Sequence, residues 1–167
     1  MNEDALTRIV VGMDGSPGAE QALAYAIRVA RPGHAEVVAV AVMEPLPPVY
    51  AGLGAYPMEY PSEADIAKLE TQLRREWCAP LAESGLRWRS MVRVGRPAVE
   101  IERIARDEHA ELIVVGRRGR GSFAELLLGS VSHELSHTAQ TPVLIVSRRR
   151  GREARPEPAE SATHAGG

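Results

Sequence analysis

Residues 113–122 read IVVGRRGRGS, an apolar run that stops at Gly116 and gives way to a loop rich in glycine and arginine. Residues 126–132, LLLGSVS, lead from this loop into a pattern of helical spacing. An apolar run that ends at a glycine is typical of a buried strand, and glycines let backbone N–H groups approach an anion closely. The N-terminus of the next helix adds unpaired donors and a favourable dipole. The stretch therefore predicts a phosphate-binding cradle between a strand and a helix.

The rest of the chain alternates short apolar runs with helical patterns. Strands are predicted over residues 9–13, 35–43, 88–94, 112–115 and 143–146. Helices are predicted over residues 19–31, 62–83 and 131–139, with a further helix that opens at residues 95–97 and buries Val99, Ile101, Ile104 and Ala105. This alternation predicts an α/β fold: a single-domain, three-layer, open twisted parallel five-stranded sheet with helices on both faces. Ligands of such sheets bind at the carboxyl ends of the strands.

Composition limits the class of protein. The chain has 167 residues, 44% hydrophobic and 25% charged, with a net charge of −2, which is ordinary for one soluble domain. That charge gives no case for binding nucleic acid. The single cysteine, Cys78, excludes an internal disulfide and suits a reducing compartment. With no secretory signal and no apolar run long enough for a membrane span, we expect a cytoplasmic protein without a membrane partner.

Two segments fall outside the strand and helix patterns. Residues 44–61 carry five prolines together with glycines and tyrosines, and they predict a long loop. Residues 148–167 begin with an arginine tract and continue as a Pro/Glu/Ala/Gly stretch, which predicts a disordered tail. The predicted domain therefore covers residues 1–147, with its core at residues 8–147.

Asp14 follows the first predicted strand, just as the glycine loop follows the fourth. In a doubly wound parallel sheet both positions lie at the same carboxyl edge, beside the point where the strand order reverses. Ser130 precedes a helical pattern, so it can cap that helix while its N–H faces an anion. Arg117, Arg118 and Arg120 add positive charge nearby. The residues predict one pocket built from both loops.

Three stretches resemble the universal stress protein family. They are residues 9–16 (IVVGMDGS), the spacing Gly116-x2-Gly119-x9-Gly129-Ser130, and residues 141–146 (TPVLIV). The glycine spacing matches the ATP-binding signature of the family's nucleotide-binding members, and the resemblance spans roughly residues 8–147. It implies an ATP-binding protein with a regulatory or stress-adaptation role, which holds the nucleotide at the carboxyl edge of the sheet, with Mg²⁺ as a candidate companion ion. It also implies a homodimer formed through the last strand.

The resemblance assigns roles within the pocket. Asp14 would contact the ribose or adenine, and the backbone near Gly12 and Val42 would border the adenine. The glycine loop would wrap the phosphates, and the start of the last helix would hold phosphate oxygens through N–H and hydroxyl groups. The predicted nucleotide-binding set is Gly12, Asp14, Val42, Gly116, Arg117, Arg118, Gly119, Arg120, Gly121, Ser122, Gly129, Ser130, Val131 and Ser132.

Other functions stay open from the sequence. Residues 133–137 read HELSH, the zinc-hydrolase pattern with His133 and His137 on one helix face and Glu134 between them. The only downstream third ligands would lie in the predicted tail, so zinc catalysis is the weakest alternative. Residues 119–124 fit a relaxed dinucleotide fingerprint but stand in the last unit rather than the first. The chain has one lysine, Lys68, and no Walker A motif.

The pocket contains no obvious general base for water and no lysine placed to neutralise a leaving phosphate. We therefore predict no catalytic residue and no metal ligand. A binding module is favoured over an efficient enzyme. The alternatives are a slow Mg²⁺-dependent ATPase and a nucleotide-free dimeric scaffold.

Overall fold

The computed structural model describes residues 6–45, the backbone at residues 50, 51, 54 and 55, and residues 60–119 and 128–147. The strands in this part of the chain are β1 (Arg8–Gly12), β2 (Glu36–Met43), β3 (Tyr50–Ala51), β4 (Gly54–Ala55), β5 (Trp88–Val94), β6 (Leu112–Gly116) and β7 (Val143–Val146). The helices are α1 (Pro17–Ala30), α2 (Glu63–Gln72), α3 (Ala79–Ala82), α4 (Pro97–Asp107) and α5 (Ser130–Thr138), with a π-helical turn, Leu73–Trp77, between α2 and α3. The predicted tail, residues 148–167, lies outside the described residues.

Five of the strands form one sheet in the order β5-β2-β1-β6-β7, and all neighbouring pairs are parallel. The predicted five-stranded parallel sheet is therefore confirmed. The chain moves outward from β1 to β2 and β5, and then returns to the other side of β1 for β6 and β7. The order reverses between β1 and β6, and a crevice opens at such a switch point outside the carboxyl ends of the strands.

Helices cover both faces of the sheet, because each strand sends alternate residues to opposite sides. Ile9 and Val11 of β1 pack with α1 on one face, while Val10 packs with α4 and α5 on the other. All three are fully buried. Strands that are apolar on both faces need this two-sided cover, which explains the uninterrupted apolar runs in the sequence.

Helix α1 begins at Pro17, two residues before the predicted start at residue 19. The Ser16 hydroxyl accepts a hydrogen bond from the Ala19 N–H at 3.2 Å, and Pro17 occupies the first helical position. Small residues then dominate the buried side of α1, and this allows the helix axis to lie close to β1 and β6. These contacts fix the first turn of α1 beside the carboxyl edge.

Helix α4 differs from the prediction at one position. Val99 is 47% exposed, whereas Ala98 is 2% exposed and packs in the core with Ile101 and Ile104. Val99 and Ile101 are two residues apart, which places them about 200° apart around an α-helix. They cannot share a buried face, and the prediction that Val99 is buried was wrong.

The segment predicted as a long loop, residues 44–61, contains a small antiparallel hairpin made by β3 and β4. Its other residues between 46 and 59 lie outside the described part. The predicted helix over residues 62–83 begins with Ser62 and Asp65, which cap each other's backbone N–H groups. It ends at Ala82 but is interrupted by the π-helical turn.

An ion-pair network lies at the amino edge of the sheet, opposite the crevice. Arg8 and Arg89 both contact Glu36, each at 3.0 Å, and both also contact Glu108 at the end of α4. The hydrogen bond from Arg89 holds the pKa of the Glu108 carboxyl below its usual value and raises the pKa of Arg89. The network joins β1, β2, β5 and α4.

Candidate functional site

A cleft of about 910 Å³ opens at the carboxyl edge of the sheet. The ends of β1, β2 and β6 form its floor, and the residues that follow β1 and β6 form its sides together with the first turn of α5. This is the position that the strand order predicts for a ligand. Its volume lies within the range of small-molecule sites in proteins.

Most of the residues predicted to bind a nucleotide surround this cleft. The lining includes Gly12, Asp14, Val42, Gly116, Arg118, Gly119, Gly129, Ser130, Val131 and Ser132. Arg117 is not among the lining residues. Arg120, Gly121 and Ser122 lie outside the described residues. The structure thus brings together residues that are up to 120 positions apart in the sequence.

Arg117 acts through its backbone at the end of β6. Its N–H donates to the Val146 carbonyl at 2.8 Å, and its own carbonyl accepts from the Gly129 N–H at 2.8 Å. The Ser132 hydroxyl also lies 3.0 Å from that carbonyl. The peptide groups of Arg117 therefore join β6 to β7 and to the start of α5, independently of its side-chain charge.

Position 116 must be a glycine because the backbone is closely packed there, whether or not a ligand is bound. A Cβ at this position would lie 2.5 Å from the carbonyl carbon of Gly18 and 2.6 Å from its oxygen. Gly18 in turn approaches the Arg118 carbonyl so closely that a Cβ there would overlap it. Strand β6 and the first turn of α1 therefore meet backbone to backbone. Gly18 is a glycine of this contact that the sequence reasoning missed.

The two ends of the loop between Gly119 and Gly129 lie against each other. A Cβ on Gly129 would lie 3.2 Å from the Arg118 Cα and 3.4 Å from the Gly119 nitrogen. On its other side, Gly119 faces the carboxylate of Asp14, which a Cβ would overlap. Gly119 and Gly129 therefore meet between Asp14 and the start of α5, although nine residues separate them in the sequence.

Asp14 is held in place by the turn that precedes α1. One oxygen of its carboxylate accepts from the Ser16 N–H at 2.9 Å, and the other faces Gly119. Because Ser16 caps α1, Asp14 is not needed as the helix cap. Its carboxylate is directed to the cleft by a local turn of its own chain.

Helix α5 starts at residue 130, one residue earlier than predicted. Gly129, with φ −64° and ψ 156°, is the N-cap, and Ser130 is the first helical residue, so the prediction that Ser130 caps the helix was wrong. The first bond of the helix runs from the His133 N–H to the Gly129 carbonyl at 2.9 Å. The N–H groups of Ser130, Val131 and Ser132 therefore have no acceptor within the helix, and all three residues line the cleft.

The hydroxyl groups of this turn have different environments. Ser132 is 2% exposed, and its hydroxyl lies 3.0 Å from both the Arg117 and the Gly129 carbonyl oxygens. It has one proton to donate, and both neighbouring oxygens are acceptors. Ser132 thus stabilises the start of α5, whereas Ser130 is exposed and lines the cleft.

The other side of the cleft is apolar. Met13, Val42 and Met43 contribute from the strand ends, and Leu69 and Trp77 contribute from α2 and the π-helical turn. Neither Leu69 nor Trp77 was predicted to line the pocket, because no side chain of the helix predicted over residues 62–83 was assigned to it. The cleft therefore has backbone donors at the start of α5 and an apolar wall beyond β2.

The zinc-like motif on α5 lies on a polar surface. The rings of His133 and His137 meet edge to face, with their centroids 4.7 Å apart, and both side chains are exposed. The Glu134 carboxylate accepts a hydrogen bond from Arg96 at 2.6 Å. Within the described residues, no three His, Cys, Asp or Glu side chains are grouped to hold a metal.

Cys78 packs in the core, and burial raises the pKa of its thiol to about 11. A packing role accounts for its position. Among the helices of the described ranges, none has the length and apolar character that crossing a bilayer needs.

The sequence and fold can be compared with those of known proteins. The universal stress protein YxiE from Bacillus subtilis is 32% identical over 146 residues, which cover 83% of this chain and 97% of that protein. A universal stress protein in complex with cAMP is similar with a TM-score of 0.65 and 24% identity, over 85% of this chain and 97% of that one. A family protein from Arabidopsis thaliana with AMP bound has a TM-score of 0.60 and 19% identity, over 92% and 99%. At these identities the two structures establish a shared fold. The profile of the Universal stress protein family matches residues 5–147, and the chain belongs to this family.

Proposed function

We propose that this protein binds ATP in the cleft at the carboxyl edge of the sheet and acts as a nucleotide-dependent regulator in stress adaptation. The observation that carries the proposal is the division of the cleft into two sides. Backbone donors at the start of α5 suit phosphate groups, and the apolar wall beyond β2 suits a base.

The dimensions of the sheet suit a nucleotide that lies across the strand ends. Strands β2 and β6 flank β1, and neighbouring strands lie about 4.8 Å apart, so their ends are about 10 Å apart. A base placed against Val42 and Gly12 would direct its phosphates past Asp14 to Gly119 and α5. Arg118 adds a positive charge beside that end. The cAMP and AMP bound by the two similar structures support an adenine nucleotide as the ligand.

The donor set favours a phosphate chain over a single uncharged ligand. The N–H groups at the start of α5 lie at the positive end of the helix dipole, which stabilises an anion there. A Mg²⁺ ion would enter with the triphosphate, because this ion keeps several waters and binds phosphate oxygens directly.

Titration calorimetry on the full chain with ATP, ADP, AMP, cAMP and inorganic tripolyphosphate, each with Mg²⁺, tests the proposal. We expect one site per chain, with ATP bound more tightly than tripolyphosphate because only ATP contacts both sides of the cleft. Chromatography of the ATP samples measures any ADP that is released, and release of ADP distinguishes slow hydrolysis from binding alone. Failure of all four nucleotides to bind at millimolar concentration would reject the proposed function.

We further propose a homodimer in which β7 pairs with β7 of a second copy. β7 is an edge strand of four apolar residues, each only partly buried within one chain. An unpaired apolar edge of this kind exposes backbone groups that favour pairing with another strand. Light scattering should give about 36 kDa, twice the 18.1 kDa of one chain. A mass of one chain at micromolar concentration contradicts the proposed pairing.

A further inference from the structure

Trp77 lies where an unusual helical turn meets the cleft. The turn Leu73–Trp77 is π-helical, with the Cys78 N–H bonded to the Leu73 carbonyl five residues back at 2.9 Å. Such turns contain one more residue than an α-helical turn and frequently occur at functional sites. Trp77 is the last residue of this turn, and it lines the cleft together with Leu69 of α2.

The extra residue explains why Leu69 and Trp77 share one wall. Eight residues of regular α-helix rotate by about 800°, so Trp77 would lie about 80° away from Leu69. When the π-helical turn absorbs one residue, the rotation is about 700°, and the two side chains align within about 20°. Leu73 lies between them in the sequence and is fully buried in the core. The turn thus directs the indole of Trp77 to the cleft while Leu73 anchors the helix.

Trp77 lies on the opposite side of the cleft from the N–H donors of α5 that suit phosphate groups. Trp77 packs on the core that α1 and α2 share with β2 and β5, whereas the donors of α5 lie beyond β6. A ligand that contacts both sides needs an anionic end and a planar apolar end. A purine nucleotide combines the two, and an indole is the largest aromatic surface a protein offers to a base.

We propose that Trp77 is the stacking platform for the nucleobase and that it makes the site selective for purine nucleotides over pyrimidine nucleotides and plain polyphosphates. This inference rests on the proposed function, because it requires a nucleotide in the cleft. Stacking of one base on an aromatic side chain corresponds to about 5- to 150-fold in affinity. Trp77 therefore supplies selectivity for the base, and the start of α5 supplies affinity for the phosphates.

The chain offers its own control for this test. Its two tryptophans are Trp77 and Trp88, and Trp88 begins β5 at the opposite, amino edge of the sheet, where it pairs with Val37. Trp88→Phe leaves Trp77 as the only indole, and Trp77→Phe leaves Trp88. We expect ATP to change the fluorescence of the Trp88→Phe protein at saturation and to leave that of the Trp77→Phe protein unchanged.

The decisive comparison is between Trp77→Phe and Trp77→Leu, with affinities measured by calorimetry for ATP, CTP and tripolyphosphate. Leucine keeps an apolar side chain but removes the aromatic face. We expect Trp77→Leu to lower the affinity for ATP at least about 5-fold and Trp77→Phe to retain most of that affinity. The affinity for tripolyphosphate should be the same in wild type and in both variants. The ratio of ATP to tripolyphosphate affinity does not depend on the folded fraction, so partial unfolding of a variant leaves the comparison valid.

The outcomes separate this inference from the proposed function. If wild type binds ATP but the Trp77→Leu protein keeps the same ATP to tripolyphosphate ratio, the stacking role is wrong and nucleotide binding stands. Equal affinities of wild type for ATP and CTP would also overturn the purine selectivity. If wild type binds no nucleotide, the proposed function and the role of Trp77 both fail.

Discussion

Replacement of Ser130 by proline should remove one phosphate donor without disturbing helix α5. Ser130 is the first helical residue, a position at which proline is favoured because its N–H has no helical acceptor. The preceding residue, Gly129, has the extended backbone that a residue before proline adopts. The same chain already begins α1 with Pro17 and α4 with Pro97. We therefore expect the free energy of unfolding of Ser130→Pro to stay within about 0.5 kcal/mol of wild type.

The loss of ATP affinity should be large by comparison. A hydrogen bond from a backbone N–H to a charged phosphate oxygen contributes about 1.5–3 kcal/mol. Its removal corresponds to an ATP dissociation constant roughly 10- to 150-fold higher. Ser130→Ala removes only the hydroxyl and keeps the N–H. The difference in affinity between the alanine and proline variants therefore isolates the backbone donor.

A matched control is available at helix α2. Glu63 is the first residue of α2, follows the extended N-cap Ser62, is exposed and does not line the cleft. Glu63→Pro makes the same chemical change at the same helical position away from the site, and it should leave ATP affinity unchanged. Calorimetry on the four proteins and urea unfolding complete the test. If Ser130→Pro binds ATP as tightly as Ser130→Ala, then the start of α5 does not hold the phosphates.

Three further experiments test other parts of the structure. Gly116→Val should lower the free energy of unfolding, measured in urea, by about 1–3 kcal/mol or more, because its Cβ would lie 2.5 Å from the Gly18 carbonyl carbon. The control Val99→Ala, at an exposed site, should change this free energy by less than about 0.5 kcal/mol. Arg89 lowers the pKa of Glu108 in the folded chain, so this pair stabilises the fold above about pH 4.5 and loses its effect as the pH falls through the lower folded pKa. Unfolding midpoints of Glu108→Gln should accordingly fall less steeply than those of wild type on acidification below pH 4.5, and parallel curves would contradict the pair's role. Cys78, whose pKa is about 11, should resist a thiol reagent at pH 8 in native protein and react in urea; rapid native labelling would show that the core around it opens.

Much of the sheet could be predicted from the sequence because its strands are buried on both faces. The apolar runs predicted as strands over residues 9–13 and 112–115 correspond to β1 (Arg8–Gly12) and β6 (Leu112–Gly116), with bounds that differ by one residue. Apolar runs between turn-forming residues mark such strands without reference to tertiary contacts. The carboxyl-edge location of Asp14 and the glycine loop followed from the alternation of strands and helices alone.

Other features depend on contacts that the sequence does not display. Val99 has the apolar character of a core residue, but the face of α4 is set by Ala98 and Ile101, which approach the sheet. The π-helical turn was missed because a helical pattern was assumed to be regular across residues 62–83. A signal was present, since Leu69, Leu73 and Trp77 are spaced by four residues twice in succession. In a regular α-helix such a stripe drifts sideways by about 40° per step, and the extra residue reduces that drift.

The glycine spacing constrains the fold before it constrains any ligand. Gly116 is fixed by the backbone of Gly18, Gly119 by the Asp14 carboxylate, and Gly129 by the strand-end loop beside it. A chain could keep all three glycines because they close this loop, without binding a nucleotide. The groups that would distinguish a binding member are the N–H groups at the start of α5, which have no acceptor within the helix, and the indole of Trp77, which lines the opposite wall of the cleft. These two groups lie on different elements, and in the proposed binding mode they would contact different ends of the ligand. The Ser130→Pro and Trp77→Leu effects on ATP affinity should therefore add when combined. A double variant that is much less impaired than this sum would mean that both act on the same part of the ligand, contrary to a nucleotide lying across β1.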